Sequence, residues 1–261
     1  MTEYTIPPDN TAPIVLHAGD GLTVSNRGTS RDITVLDDAQ ETVTGGKSIL
    51  TTLVDGDETV THGTADLTTI NGGVLRLFDH ATADHTRLNG IASGLELTNG
   101  SVAKDTVIEI GQLIADATST VDNVTFVRSA NKFATGAVGV ANPQNLKGYI
   151  AGLAVGDHLQ FGSDRPGTSV DITSFEVKNH TLTITYNSGE HATYQLRDME
   201  AGTTFKLATV TASDGNIISL LSVIKTPAPA ALAHHHTPSE FDSPLVGVDA
   251  HHFHFAPGPF G

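Results

Sequence analysis

The chain has 261 residues, of which 38% are hydrophobic, and it contains neither cysteine nor tryptophan. Its 14 basic and 29 acidic residues give a formal net charge of −15, which would repel phosphate backbones, so we expect no nucleic-acid partner. The lack of cysteine excludes disulfides and thiol chemistry. No apolar run approaches the roughly 18 residues that a membrane-spanning helix needs, so we expect no membrane span.

Residues 1–20 are predicted to be an N-terminal leader or a cap for the segment that follows. They contain no basic region followed by an apolar core, so the sequence shows no cleavable signal peptide. If the protein is exported, we expect this to happen without N-terminal cleavage.

A short sequence motif repeats between residues 21 and 126. Small-residue turns recur every 17–19 residues, and a second short strand lies between each pair of turns. One such unit buries almost nothing alone, but stacked units bury a continuous core. The spacing therefore predicts an all-β fold: a parallel β-helix, or flattened β-roll, of about six rungs. The turns begin at Gly28, Gly46, Gly63, Ala81, Gly100 and Ala117.

Apolar residues alternate with polar ones within each predicted strand, which fits a strand better than a helix. Two inward ladders are predicted from this alternation. An antiparallel sandwich with evenly spaced strands is the alternative. The first ladder is Leu22/Val24, Val43, Val60, Leu75/Leu77 and Leu95/Leu97, and the second is Ile33/Val35, Leu53, Ile70, Leu88 and either Val107 or Ile108.

The segment ETVTGGKSILTTLVDGDETVTHGTADLTTINGG resembles the passenger repeats of AIDA-type autotransporter adhesins, over about residues 21–126. The resemblance implies a right-handed β-helical stalk, located outside the cell or on the bacterial surface. The resemblance covers the passenger repeats and not the membrane β-barrel of those adhesins. The sequence therefore does not identify the secretion route. A stack of rungs leaves unpaired strand edges at its open ends, so other copies of the chain are expected as partners, and surface polysaccharide is a further candidate.

The pattern changes after the repeats. Residues 127–145 break the spacing and are predicted to be a connector. Residues 146–224 are predicted to form a C-terminal β domain of short strands, which either caps the stack or continues its sheets. The clearest hairpin is TLTITYNSGEHATYQL, because its NSG turn separates two alternating strands.

The last segment, residues 225–261, is rich in proline and histidine and is predicted to be an extended tail. A purely solvated tail does not require aromatic residues, so four phenylalanines are predicted to mediate assembly with a neighbouring copy. The alternative is a tail that folds back on its own domain or stays disordered. Its histidines at 234–236, 251, 252 and 254 offer ligands for zinc or nickel, but no cysteine accompanies them and no specific site is assigned. The assembly residues are Phe241, Phe253, Phe255 and Phe260.

Parallel β-helices also include polysaccharide lyases and hydrolases, which use paired carboxylates. The acidic candidates all fit turn positions, where aspartate serves the backbone, so no catalytic, cofactor-binding or metal-binding residue is predicted. Repeated acidic turns leave structural calcium open, although the calcium-roll nonapeptide is absent. The candidates are Asp37, Asp38, Asp55, Asp57, Asp79 and Asp84.

Two functions follow from these patterns. The first is a non-catalytic, secreted structural protein of the bacterial surface or biofilm matrix, either an adhesin or a self-assembling filament subunit. The alternative is a carbohydrate-active β-helix enzyme or a polysaccharide-binding module. A line of aromatic and basic residues along one face would favour the alternative, but Arg76 and Arg87 are isolated in the pattern.

Overall fold

The computed structural model describes residues 3–5, 13–128, 135–163, 169–211 and 215–226, with the backbone alone at 3–5. These residues belong to one compact unit that ends at Thr226. Strands account for 62% of the described residues, which contain no α-helix, and this confirms the predicted all-β class. The short 3-10 helix Pro143–Asn145 has only three residues, and no described helix is long and apolar enough to cross a membrane.

The strands are numbered in chain order. They are β1 (Glu3–Thr5), β2 (Ile14–Leu16), β3 (Gly21–Val24), β4 (Thr29–Arg31), β5 (Ile33–Leu36), β6 (Gln40–Thr44), β7 (Lys47–Ile49), β8 (Thr52–Val54), β9 (Asp57–Thr61), β10 (Thr64–Asp66), β11 (Thr69–Ile70), β12 (Gly73–Phe78), β13 (Thr82–Asp84), β14 (Arg87–Leu88), β15 (Ser93–Leu97), β16 (Val102–Ile108), β17 (Gly111–Ala115), β18 (Thr120–Phe126), β19 (Gly136–Val140), β20 (Leu146–Ala151), β21 (His158–Phe161), β22 (Ile172–Lys178), β23 (Thr181–Tyr186), β24 (His191–Arg197), β25 (Thr203–Thr211) and β26 (Ile217–Lys225).

The strands form a parallel β-solenoid, in which each turn adds one strand to each of two long sheets. Sheet A has the order β1-β3-β6-β9-β12-β15-β17-β19-β21-β26-β25, and sheet B has the order β2-β5-β8-β11-β14-β16-β18-β20-β24-β23-β22. A third, short face consists of β4, β7, β10 and β13, and it merges with sheet B at β16.

The solenoid has about eight turns, not the six that the repeat spacing predicted. Parallel pairing continues beyond residue 126, because β19 and β21 extend sheet A and β20 extends sheet B. Strand β19 lies within the segment 127–145 that was predicted to be a connector. Antiparallel strands then lengthen both sheets, including the predicted hairpin, which is present as β23 and β24.

The core is a set of columns that run along the solenoid. Register partners in sheet A place Val24, Val43, Val60, Leu77 and Leu97 in one column, and all five side chains are buried. The column in sheet B passes through Leu53, Ile70, Leu88, Ile108 and Phe126, which are also buried. The predicted inward ladders are therefore confirmed, with Ile108 rather than Val107 in the core.

The corner between the short face and sheet B is made by single residues in the left-handed region. Asp32, Leu50, Leu67 and His85 have φ values of 55°, 61°, 59° and 54°. Backbone hydrogen bonds to the next turn hold this conformation, for example from Leu50 N to Asp66 O at 3.0 Å. The bend turns the Leu50 and Leu67 side chains outward, and both are exposed. This corner repeats from turn to turn and keeps successive strands in register.

Candidate functional site

The acidic residues considered for catalysis are mainly turn residues. Asp37, Asp38, Asp55 and Asp79 all have positive φ, which is a backbone requirement that aspartate meets better than most residues. Their positions fit the predicted role of aspartate in turns. Asp38 and Asp55 also line a shallow polar depression of about 140 Å³ together with Asp57, which is smaller than the 300–1,000 Å³ typical of ligand pockets.

Asp57 has a defined structural role. Its Oδ1 accepts a hydrogen bond from Val74 N at 2.9 Å, and its Oδ2 lies 2.7 Å from Arg76 Nη1. Arg76 also lies 3.4 Å from Glu96 Oε2. These contacts tie three successive strands of sheet A together across its outer surface. Arg76 is in sheet A and Arg87 in sheet B, so the two do not form a basic line on one face.

Asp84 lies in a small cluster on the short face. Ligand atoms of Asp66, Asp84 and His85 lie within 4.8 Å of one another. His85 Nδ1 is 3.2 Å from Asp84 Oδ1, and Lys47 Nζ is 3.2 Å from Asp66 Oδ2. Asp66 thus has a cationic neighbour in Lys47, and structural calcium at acidic turns stays a prediction.

The most unusual polar group in the described residues is inside the solenoid. Glu41 and Glu58 are register partners on β6 and β9, and both side chains are fully buried. They occupy the column that holds Leu22 before them and Leu75 after them. A buried carboxyl group is costly unless hydrogen bonds or a charge partner compensate for the lost hydration.

Hydroxyl groups provide the hydrogen bonds to these carboxyls. Ser30 Oγ donates to Glu41 Oε1 at 2.6 Å, and Thr51 Oγ1 donates to Glu41 Oε2 at 3.2 Å. Ser48 Oγ donates to Glu58 Oε1. The second oxygen of Glu58, Oε2, is buried and has no hydrogen-bond partner among the described residues. The pair therefore has three hydroxyl donors for four carboxyl oxygens.

Burial raises the pKa of Glu41 to about 7, although hydrogen bonds from Ser30 and Thr51 act in the opposite direction. The pKa of Glu58 is raised well above its usual range, first by burial and then by the charge of Glu41, while the bond from Ser48 lowers it. A carboxyl group with a raised pKa keeps its proton at a pH where exposed glutamates are ionised.

Sequence reasoning missed this pair, although the sequence contained the signal. Val43 and Val60 were predicted to point inward, and strand alternation places Glu41 and Glu58, two residues earlier, on the same side. The glutamate of the repeated motif ETV thus points into the core. Serine at positions 30 and 48, on the facing strands β4 and β7, completed the pattern.

The two long sheets end in strands with one described neighbour each. Strand β25 pairs with β26 in sheet A, and strand β22 pairs with β23 in sheet B. Phe175 of β22 and Phe205 of β25 pack edge to face, with ring centroids 6.4 Å apart. Val177 and Val210, farther along the same strands, are 45% and 54% exposed. This end of the solenoid therefore presents two strand edges beside partly exposed apolar side chains.

The predicted assembly residues Phe241, Phe253, Phe255 and Phe260 lie outside the described residues, as do the histidines of the tail. Their role stays a prediction.

A comparison with models of known protein families gives no match, and a comparison with curated proteins gives none either. The β-solenoid supports the coarser part of the sequence resemblance, a β-helix repeat protein.

Proposed function

We propose that the protein is a non-catalytic structural subunit that is secreted to the bacterial cell surface or biofilm matrix and associates with other copies of itself. The observation that carries the proposal is the arrangement of sheet A, which runs in register from β1 to β25. Each of these two strands has one neighbour in the described part of the sheet. Free strand edges expose N–H and C=O groups that can pair with a strand of another molecule.

The two edges at the C-terminal end differ in how well they are protected. Strand β22 carries Glu176 and Lys178 and is irregular between Ile172 and Ser174. Charges and bulges of this kind discourage strand addition. Strand β25 carries Lys206, but residues 207–211 have the sequence LATVT, without charge. Strand β25 therefore offers a less protected edge than β22 for the addition of a strand from another molecule.

The proposed occupant of this edge is a second copy of the chain. Pairing of β25 in one copy with β1 in the next would continue sheet A and produce an open filament, because the two surfaces differ. Pairing of β25 with β25 would be self-complementary and would stop at a dimer. The resemblance to adhesin repeats supports the proposed surface location and a role as an adhesin beside that of a filament subunit.

Light scattering and electron microscopy of the full-length protein test the proposal. Val210→Lys adds a charge to β25, so we expect it to lower the average mass and to abolish filaments. Val177→Lys is the matched control, because it changes a similarly exposed valine on the protected strand β22. A full-length protein that is monomeric at high concentration contradicts the proposal.

The tail is tested by removing residues 227–261, which follow the compact unit. Loss of assembly on truncation, with no effect of Val210→Lys, would place the contact in the tail phenylalanines instead of β25. Equal assembly of both lengths, with loss in Val210→Lys, would place it in β25. Fractionation of the native host then tests location: a purely cytosolic pool contradicts secretion.

A further inference from the structure

We propose that Glu41 and Glu58 are a proton-binding pair in the core of the solenoid: the folded protein keeps at least one proton on the two carboxyl groups near neutral pH, and acidification from neutral to mildly acidic pH stabilises the fold. The two side chains are adjacent in one column and completely buried. Two negative charges in this position would repel each other and would both lack hydration.

The elements packed around the pair supply no compensating positive charge. Along the column, Leu22 and Leu75 lie on either side of the pair. The short face contributes Ser30, Ser48 and Ala65, and the turns that lead to β8 and β11 contribute Thr51 and Thr68. All seven are uncharged and buried, so the two glutamates are the titratable groups at this place in the core.

The hydrogen bonds to the pair are also fewer than two ionised carboxylates require. Three hydroxyl donors reach the pair, and Glu58 Oε2 is the oxygen without a donor. An ionised carboxylate accepts bonds at both oxygens, whereas a protonated one carries a hydrogen on one of them. The missing donor at Oε2 therefore adds to the cost of ionising Glu58 in this position.

Another buried carboxyl group of the described residues, Asp157, is distant from the pair in the fold. It precedes β21, which is five strands away from β9 in sheet A. Its oxygens accept bonds from Gly136 N at 3.0 Å and Ala154 N at 2.8 Å. Backbone donors of this kind hold a carboxylate in a turn, so Asp157 differs from a pair that has only hydroxyl donors.

The pH dependence has a definite sign. The pKa of each glutamate is higher in the folded protein than the usual 4.5, so folding takes up protons above about pH 4.5, and for Glu41 this uptake extends to about pH 7. The contribution of Glu41 to stability is complete below about pH 4.5 and is lost as the pH rises to about pH 7, and Glu58 contributes with the same sign. From Glu41 alone, we expect the unfolding equilibrium constant to increase on the order of 30-fold between pH 5 and pH 7.

The experiment compares the wild-type protein with the variant Glu41→Gln/Glu58→Gln in urea, followed by circular dichroism at pH 5, 6, 7 and 7.5. Glutamine has the shape of a protonated glutamate and does not titrate. We expect the ratio of the two unfolding constants to change by at least about 30-fold between pH 5 and pH 7, because Glu58 adds to the contribution of Glu41 with the same sign. Glu176→Gln replaces one exposed carboxylate by an amide and is the control for the general effect of net charge. The ratio of its unfolding constant to that of the wild type should stay nearly constant over the same pH range.

A pH-independent ratio for the buried pair overturns the proposal. Stabilisation of the wild type, but not of the double variant, by calcium chloride at pH 7.5 also overturns it, because a cation would then neutralise the pair. Infrared spectroscopy of the wild type in D₂O needs no variant: at pH 6 we expect a band from a protonated carboxyl group that disappears on unfolding. Absence of this band in the folded protein contradicts the proposal.

Discussion

Glu58 and Leu75 are register partners on the neighbouring strands β9 and β12, and both side chains are completely buried. The short face changes in step with them. Ser48 donates to Glu58, and its register partner in the next turn is Ala65. The core thus combines an acid with a hydroxyl group in the early turns and leucine with alanine in the later ones. A buried carboxyl group requires a donor, whereas leucine requires only apolar neighbours.

This relationship predicts that the acid and hydroxyl pairs of the early turns can be replaced by the leucine and alanine pairs of the later turns. Ser48→Ala alone removes the donor to Glu58 and should destabilise the fold by about 1–3 kcal/mol. Ser48→Ala combined with Glu58→Leu removes both polar groups, and we expect it to be more stable than the wild type at pH 7.5 by about 1–3 kcal/mol. Urea unfolding of the two single variants and the double variant measures the coupling. A double variant no more stable than Ser48→Ala would contradict the prediction.

The second prediction tests the stacked core. Val60 lies between Val43 and Leu77 in a fully buried column. Val60→Asp places a carboxylate there without a hydrogen-bond donor, and we expect a loss of at least about 3 kcal/mol in the free energy of unfolding. Thr59→Asp is the control, because Thr59 points outward on the same strand, and it should cost about 1 kcal/mol or less. Similar losses in the two variants would contradict the inward column.

The repeat spacing was sufficient to predict the solenoid and its inward valines, because period-two alternation fixes the side of each strand residue. It was insufficient for Glu41, since a glutamate in a strand is usually solvated.

The later turns were also missed. Strand β19 has the sequence GAVGV, and a Cβ atom at its Gly136 would lie 2.8 Å from Ile108 Cγ2. Tertiary packing, not the repeat motif, determines the residue there. The edges of β22 and β25 depend on long-range pairing that no local pattern specifies.

The third prediction concerns two glycines with the same backbone angle. Gly73 and Gly189 both have φ of +79°, but a Cβ atom on Gly73 would lie 1.9 Å from Gly56 O, while Gly189 has open space around it. Gly189→Ala should cost about 1–2 kcal/mol, from its backbone conformation alone. We expect Gly73→Ala to cost at least about 2 kcal/mol more, because successive turns must separate to admit the methyl group. Thermal unfolding of both variants gives the comparison, and equal losses would contradict close stacking at Gly73.

The last prediction concerns acid stability at Asp116, which organises the turn after β17. Its Oδ1 accepts bonds from Thr118 N, Ser119 N and Thr118 Oγ1 at 2.8–2.9 Å, and its Oδ2 accepts one from Asn99 N at 2.8 Å. Burial alone would raise the pKa of Asp116, but these hydrogen bonds outweigh it, so the pKa lies below the usual 3.8. The carboxylate therefore stabilises the fold above about pH 3.8, and this contribution is lost as the pH falls further.

Asp116→Ala removes all four bonds, and we expect a loss of about 1–2 kcal/mol at pH 7 in urea unfolding. Asp116→Asn is the matched control, because its Oδ1 can keep three of the bonds while the bond from Asn99 N is lost. Its loss should be smaller, and the difference between it and the wild type should shrink between pH 5 and pH 3, because the Asp116 carboxyl group of the unfolded wild-type chain becomes protonated first. This dependence has the opposite sign to that of Glu41 and Glu58, so the two effects are separable in one pH series. A difference that stays constant down to pH 3 would show that the charge of Asp116 does not stabilise the turn.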